Sequence, residues 1–143
     1  MSKVAGEFSG RMYDPARIGI RIERRSLAQV QIEANKLETV ARHIARFGDD
    51  EANNLMLRRL RQIANGLMAP TRYDLQFYAH EIRECERYTA LGFPDGQPGS
   101  LDEAYELWNN AHTATLEEYG VTNERIEPYH PDAQAMMFKA GDF

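Results

Sequence analysis

The sequence contains one cysteine, Cys85, among its 143 residues. A single cysteine excludes an internal disulfide and a zinc site built on several cysteines. A domain of this length buries roughly two-thirds of the surface of its unfolded chain, so it needs no such crosslink to support a hydrophobic core. We therefore expect one globular domain over residues 1–143.

Long apolar runs are also missing. No stretch approaches the roughly 18 consecutive apolar residues of a membrane-spanning helix, and residues 1–10 contain no apolar run of signal-peptide length. We therefore expect a soluble protein without a membrane span. It is either cytoplasmic or exported as part of a larger protein.

An excess of positive charge and a phosphate-binding loop are absent as well. Seventeen Lys and Arg against 22 Asp and Glu give a net charge of -5, which argues against broad, sequence-independent binding of nucleic-acid phosphates. The loop at residues 94–99 has neither the Gly-Lys-Ser nor the Gly-x-Gly-x-x-Gly pattern of nucleotide-binding enzymes. Arg58 and its neighbouring arginines could form a local phosphate-binding patch, but a solvated face with ion pairs to Asp and Glu is the favoured interpretation.

Apolar residues at three- and four-residue spacing predict a mainly helical chain. Ser26 with Gln29, and Ser100 with Glu103, have the spacing of capping boxes that begin helices. Gly92 has the place of a left-handed residue that ends one. Four main helices are predicted over about residues 26–47, 51–67, 71–91 and 101–119, with a short fifth helix over residues 132–139.

Residues 1–25 show no helical pattern and are predicted to form an irregular, loosely structured arm. The alternation within residues 11–25, which include Arg17–Ile22, is typical of a short strand, but one strand makes no sheet. The predicted fold class is therefore mainly α. It is a single helical domain of four main helices, with an irregular N-terminal arm and a short C-terminal helix in the helical body at residues 26–143.

The third predicted helix is apolar on two opposite sides, which is typical of a central helix. His80 and Glu84 lie four residues apart, within a face that also carries Tyr73, Phe77 and Tyr88. Neither a histidine nor a glutamate is a natural choice for plain apolar packing. We therefore expect another polar group to satisfy them.

The fourth predicted helix repeats this anomaly. His112 lies in the middle of an apolar stripe, on the same line as Tyr105, Trp108 and Thr115. If the third and fourth helices pack as an antiparallel hairpin through these faces, His112 meets His80 and Glu84. Asn109, Thr115, Tyr129 and His130 are then candidates for a substrate-binding rim, together with Arg58.

Three interpretations of this group remain open. The three side chains could form a buried hydrogen-bond network that fixes the helix pair. They could instead carry out acid/base catalysis, with His80 and His112 as the proton-transfer pair, Glu84 orienting or activating one imidazole, and Glu81 in reserve. Finally, His80, Glu84 and His112 could bind a metal such as zinc, with Glu81 as the base, although the helical His-Glu-x-x-Glu lacks the second histidine of the usual zinc motif.

Three segments carry a resemblance to a known group of proteins. They are Phe77–Glu84, Glu106–Gly120 after a loop rich in glycine and proline, and Tyr129–Pro131. Together these segments resemble the C-terminal toxin domains of bacterial polymorphic toxins, the variable tips of Rhs-repeat, contact-dependent-inhibition and type VI secretion effectors. The resemblance covers about residues 70–131. It implies an antibacterial effector domain that acts in the cytoplasm of a target cell and is neutralised by a cognate immunity protein.

The expected function is therefore that of an effector hydrolase, with a ribonuclease or other nuclease as the favoured version and RNA as a candidate substrate. Such toxin domains are most often nucleases, which fits histidines that move protons. No cofactor is required by this interpretation. The alternatives are a zinc-dependent hydrolase and a non-enzymatic helical binding module, such as an immunity or adaptor protein whose acidic surface covers a basic partner.

Overall fold

A computed structural model describes residues 2–122 and 129–140 of the chain. It is mainly helical, as the sequence predicts. The helices are α1 (Leu37–Ala45), α2 (Glu51–Ala64), α3 (Arg72–Ala90), α4 (Leu101–Tyr119) and α5 (Pro131–Ala140). Two short strands, β1 (Val4–Ala5) and β2 (Met12–Tyr13), pair antiparallel, with Val4 opposite Tyr13.

The ends of α3 and α4 follow the local chemistry of the sequence. The Ser100 hydroxyl accepts a hydrogen bond from the amide of Glu103 at the start of α4, and Gly120 ends that helix with φ of 65°. Thr71 and Asp74 form a reciprocal capping box at the start of α3. The predicted fourth helix is therefore confirmed at both ends.

The predicted start of the first helix is wrong. The Ser26 hydroxyl accepts from the amide of Ala28 and closes only a 3-10 turn at Leu27–Gln29. The chain then turns extended at Val30, and the amide of Glu33 donates to the Tyr78 hydroxyl on α3. Because these residues bond to α3 rather than to their own next turn, the α-helix begins only at Leu37.

The short strand predicted within residues 11–25 lies at Met12–Tyr13, and Arg17–Ile22 forms no strand. Ile18 is buried against Tyr13 and Ala114, while the carbonyl of Ile20 accepts from Arg87. Gly19 lies between them with φ of 78°, where an added Cβ would lie 2.8 Å from the Arg87 carbonyl oxygen. The alternation therefore reflects docking on the helices rather than strand pairing.

The N-terminal arm is irregular, as predicted, but it is closely docked on α4. The Glu117 carboxylate accepts hydrogen bonds from the amides of Phe8 and Ser9, each at 2.9 Å. Further along the arm, the amide of Asp14 donates to Asn110. These contacts join segments about a hundred residues apart in the chain, so the arm is a fixed part of the fold.

Helix α3 is central, as its two apolar sides predict, and packs against α1, α2 and α4. The main core lies among α1, α2 and α3, with α5 covering α2. The buried apolar residues of this core include Val40, Met56, Leu60 and Phe77. In the part of the chain that the structure describes, no helix is both long and apolar enough to cross a membrane.

Candidate functional site

Two histidines and a glutamate meet where α3 packs against α4. His80 and Glu84 lie one turn apart on α3, so both point to the same side of the helix. Glu84 Oε2 lies 2.8 Å from His80 Nε2 and 2.9 Å from His112 Nδ1 of α4. The two imidazole nitrogens are 3.2 Å apart. The structure thus brings together the three residues that the sequence singles out, and we call them the triad.

A third histidine reaches the same glutamate from the opposite side. His43 of α1 is fully buried, and its Nε2 lies 2.9 Å from Glu84 Oε1 and 3.7 Å from Glu81 Oε2. The sequence interpretation missed His43. The signal was present, because His43 follows Val40 by three residues and lies inside the apolar stripe of α1.

The contacts of Glu84 keep its carboxylate ionised. Burial alone would raise the pKa of Glu84, but hydrogen bonds with His112, His43 and His80 hold that pKa well below its usual range. Its Oε1 is hydrogen-bonded to His43, and its Oε2 is hydrogen-bonded to His80 and His112. Glu84 is therefore a permanent negative charge at the junction of three helices.

The opposite charge is supplied from α1. Burial alone would lower the pKa of His43, but interactions with Cys85, Glu84 and Glu81 raise it to about 9. Burial and the neighbouring Glu84 carboxylate raise the pKa of Glu81. At neutral pH the side of Glu84 that faces α1 therefore carries an imidazolium, which balances the buried carboxylate.

His80 is incompletely satisfied. The side chain is almost fully buried, and its Nδ1 makes no hydrogen bond with any residue that the structure describes. A buried polar atom without a partner is uncommon in folded proteins and costs stability. A buried network with a purely structural role would be expected to pair all of its polar atoms, and the triad does not.

The triad approaches solvent at His112, whose side chain is 14% exposed. The His112 ring stacks on Trp108 with ring centroids 4.5 Å apart. The Arg11 guanidinium lies over the Trp108 ring, 5.0 Å from its centroid. The arm therefore helps to hold Trp108, and Trp108 holds the imidazole that lies nearest the surface.

The predicted rim residues on α4 lie elsewhere. Thr115 is fully buried, and its hydroxyl accepts a hydrogen bond from Arg87. Asn109 is buried and joins the arm, because its amide oxygen accepts from Arg11 and its amide nitrogen donates to the Met12 carbonyl. The structure therefore does not place either residue on the rim of the triad.

The remaining rim candidates lie along α2 and the start of α3. The Tyr129 hydroxyl donates to Asn53 of α2 at 3.0 Å, and the backbone amide of His130 contacts the Met56 sulfur. Arg58 is exposed on α2. None of these contacts joins them to the triad.

A second buried polar cluster lies beside the triad on the same two helices. Arg83 of α3 donates two hydrogen bonds to Glu118 of α4, at 2.9 and 3.1 Å. The fully buried Arg87 donates to Glu118, to Thr115 and to the Ile20 carbonyl of the arm. We call Arg83, Arg87 and Glu118 the arginine cluster; the sequence interpretation did not find it.

The histidines and glutamates form two overlapping groups with the composition of a metal site. Within the described residues, His80, Glu84 and His112 form one such group, and His43, Glu81 and Glu84 form the other. In each group the ligand atoms lie within 4.8 Å of one another. Glu84 belongs to both groups, so it is the central residue of the site.

No protein family, curated protein or solved structure matches this chain. The resemblance to the tips of polymorphic toxins therefore stays a prediction. Any functional assignment depends on the chemistry of the residues themselves.

Proposed function

We propose that the domain is a hydrolase whose chemistry is carried out by His80, Glu84 and His112, with nuclease activity on RNA or another nucleic acid as the first reaction to test. One observation carries the proposal. Two imidazole nitrogens and a carboxylate oxygen, from His80 and Glu84 of α3 and His112 of α4, lie within 3.2 Å of one another at a point where His112 reaches solvent.

These side chains have the chemistry that hydrolysis needs. Imidazoles accept and donate protons near neutral pH, and a carboxylate that bonds to an imidazole fixes its orientation and tautomer. In a metal-free reaction, His80 and His112 would be the proton-transfer pair and Glu84 would orient them. A cation bound by the same three atoms would instead activate a water molecule.

The biological setting belongs to the same proposal. The resemblance of residues 70–131 to polymorphic toxin tips supports a domain that is exported as part of a larger effector and acts in the cytoplasm of the target cell. A cognate immunity protein would protect the producing cell. The net charge of -5 fits a substrate bound at one site better than broad contact with nucleic-acid phosphates.

The test is growth of bacteria that express the domain from an inducible promoter. We expect the wild type to stop growth, whereas His80→Ala and His112→Ala allow it, and purified wild-type protein to cleave RNA or DNA that the variants leave intact. Loss of a general acid or base typically lowers the rate by about 10² to 10⁴. Circular dichroism and thermal melting identify variants that do not fold.

Glu86→Gln is the matched control for this experiment. Glu86 is exposed on α3, two residues from Glu84, and pairs only with Arg83 among the contacts described above. We expect this variant to be as toxic as the wild type. A harmless wild type, or toxicity that persists in folded His80→Ala and His112→Ala, would remove the assignment to hydrolysis.

One surface favours the second candidate, a non-enzymatic binding module. Leu101 and Tyr105 of α4 lie one turn apart and are 88% and 56% exposed. Exposed apolar side chains in a row are typical of surfaces that contact another protein. Leu101→Ser should weaken binding of a partner if this is the function, and should leave growth arrest unaltered if the domain is a hydrolase. Tyr105 is left in place because its ring packs on Trp108.

A further inference from the structure

We propose that His80 Nε2, Glu84 Oε2 and His112 Nδ1 bind one divalent transition-metal ion. The inference rests on the proposed function only for the reaction that the ion would serve, since metal binding itself is measured without any substrate. It turns the three residues from a proton-transfer group into a set of ligands.

The distances among the three atoms match one face of a metal coordination sphere. They are 2.8, 2.9 and 3.2 Å. At a metal–ligand distance of about 2.1 Å, three ligand atoms on one face of an octahedron lie about 3.0 Å apart, and those of a tetrahedron about 3.4 Å apart. The triad therefore has the facial arrangement of a two-histidine, one-carboxylate site, and tetrahedral zinc would require its three atoms to move apart by about 0.2 to 0.6 Å.

Hydrogen atoms alone satisfy this triangle poorly. If both imidazole nitrogens donate to Glu84 Oε2, their two hydrogen atoms converge on one oxygen from nitrogens that are only 3.2 Å apart, and they crowd each other. If instead one imidazole accepts from the other, it cannot also donate to Glu84. A cation removes the conflict, because all three atoms then point lone pairs at one positive charge.

The far side of Glu84 is arranged as the support of a metal ligand. His43 occupies Oε1 at 2.9 Å, which leaves Oε2 directed at the two imidazoles of the triad. Ligating carboxylates are commonly held by a second hydrogen bond of this kind, which fixes their orientation toward the metal. The sequence therefore supplies three ligands on α3 and α4 and a support for one of them on α1.

The remaining coordination positions would be filled by water and substrate. The ion would lower the pKa of a bound water and stabilise negative charge that develops on a phosphodiester or another ester during hydrolysis. His112, the most exposed member of the triad, marks the side from which water and substrate approach. Trp108, stacked on that imidazole, keeps it in position.

The experiment uses the full chain without a histidine tag, freed of metal with a chelator and then titrated with Co²⁺. We expect one equivalent to bind and to produce visible absorption bands, and Zn²⁺ to displace it. Glu84→Gln and His112→Gln should bind Co²⁺ at least tenfold more weakly. His130→Gln is the matched control, because this histidine lies outside the triad and should leave the titration unchanged.

Thermal melting keeps the proposal testable if the buried variants do not fold. A ligand that binds only the folded chain raises its melting temperature as its concentration rises. We expect wild type and His130→Gln to melt at higher temperature with Zn²⁺ or Mn²⁺ than with chelator. Absence of both the cobalt bands and this shift in the wild type would overturn the proposal, as would unchanged binding by folded Glu84→Gln and His112→Gln.

The two proposals can fail separately. Metal binding without any hydrolysis or toxicity would retain the metal site and remove the proposed function. Hydrolysis that continues in chelator, by a protein that binds no Co²⁺, would retain the function and remove the metal site.

Discussion

The two buried polar clusters between α3 and α4 share one arrangement but differ in the chemistry of their nitrogen-bearing side chains. In each, one glutamate is surrounded by nitrogen-bearing side chains: Glu118 by Arg83 and Arg87, and Glu84 by histidines. Arginine is always charged in proteins, so the arginine cluster is a permanent ion pair. Histidine gains or loses its proton near neutral pH and can bind a metal through its free lone pair. The same arrangement therefore gives a fixed structural bond in one place and a chemically variable site in the other.

The clusters also differ in how well their atoms are paired. Glu118 accepts from two arginines and from the backbone amide of Glu23, and Arg87 also bonds to the Ile20 carbonyl of the arm. In the triad, two imidazoles share one oxygen of Glu84, and His80 Nδ1 has no partner among the described residues. A network selected only for stability resembles the arginine cluster. The triad keeps hydrogen-bonding capacity that the protein does not use, as sites that bind ligands commonly do.

The largest effect is expected when one member of the arginine cluster is removed. Arg87→Ala leaves the buried Glu118 without its fully buried partner, and loss of one partner of such a pair costs about 3–5 kcal/mol of the free energy of unfolding. Urea denaturation followed by circular dichroism measures it. Glu86→Gln, on the exposed side of the same helix, should change the free energy by less than about 0.5 kcal/mol. A loss of similar size in both variants would show that the cluster is not a structural bond.

The same cluster should make the fold sensitive to acid. Burial alone would raise the pKa of Glu118, but hydrogen bonds from Arg83 and Arg87 lower it below its usual value of 4.5. A lowered pKa adds stability that is fully present above pH 4.5 and disappears as the pH falls through the lowered value. We expect the melting temperature of the wild type to fall more steeply between pH 5 and about 3 than that of Glu118→Gln. Parallel curves would contradict this assignment.

The triad should separate stability from function. His80→Leu removes a buried ring with an unpaired nitrogen, but it also removes one hydrogen-bond partner of the buried Glu84 carboxylate, which keeps His112 and His43. It should therefore lower the free energy of unfolding by about 1–3 kcal/mol, less than Arg87→Ala does. The same variant should lose toxicity and Co²⁺ binding. A folded His80→Leu protein that keeps both would remove His80 from the site, and a loss of stability as large as that of Arg87→Ala would make the triad a structural network.

The smallest effect is expected at Thr115, which lies in the arginine cluster although it follows His112 by one helical turn. Thr115→Val keeps the shape of the side chain and removes the hydroxyl that accepts from Arg87 at 3.1 Å. We expect a loss of about 1 kcal/mol in the free energy of unfolding and an unchanged Co²⁺ spectrum. A weakened cobalt site in this variant would show that the two clusters are coupled.

The sequence predicts the parts of this molecule that local chemistry decides. Ser100 and Gly120 mark the ends of α4 because a hydroxyl and a left-handed glycine act within a few residues. The meeting of His80, Glu84 and His112 follows from two helical faces with polar residues in apolar surroundings. Both predictions depend only on periodicity and on the packing of the two helices against each other.

The features that were missed depend on distant partners. The first helix starts late because residues 27–33 turn toward α3 and reach Tyr78, which no local pattern shows. Arg87 and Glu118 look like surface charges in sequence, and only the fold brings them together in the interior. His43 was not predicted, although it lies within the apolar stripe of its helix, because its partner, Glu84, lies 41 residues away.

The docking of the arm on α4 also sets an order for folding. The amides of Phe8, Asp14 and Glu23 bond to Glu117, Asn110 and Glu118, over sequence separations of 109, 96 and 95 residues. A chain that emerges from a ribosome amino-terminus first releases the arm long before α4. The arm must therefore wait unpaired until α4 is out, and these contacts of long sequence separation will form late and slowly. During synthesis the domain therefore lacks the contacts that fix its arm until α4 has emerged.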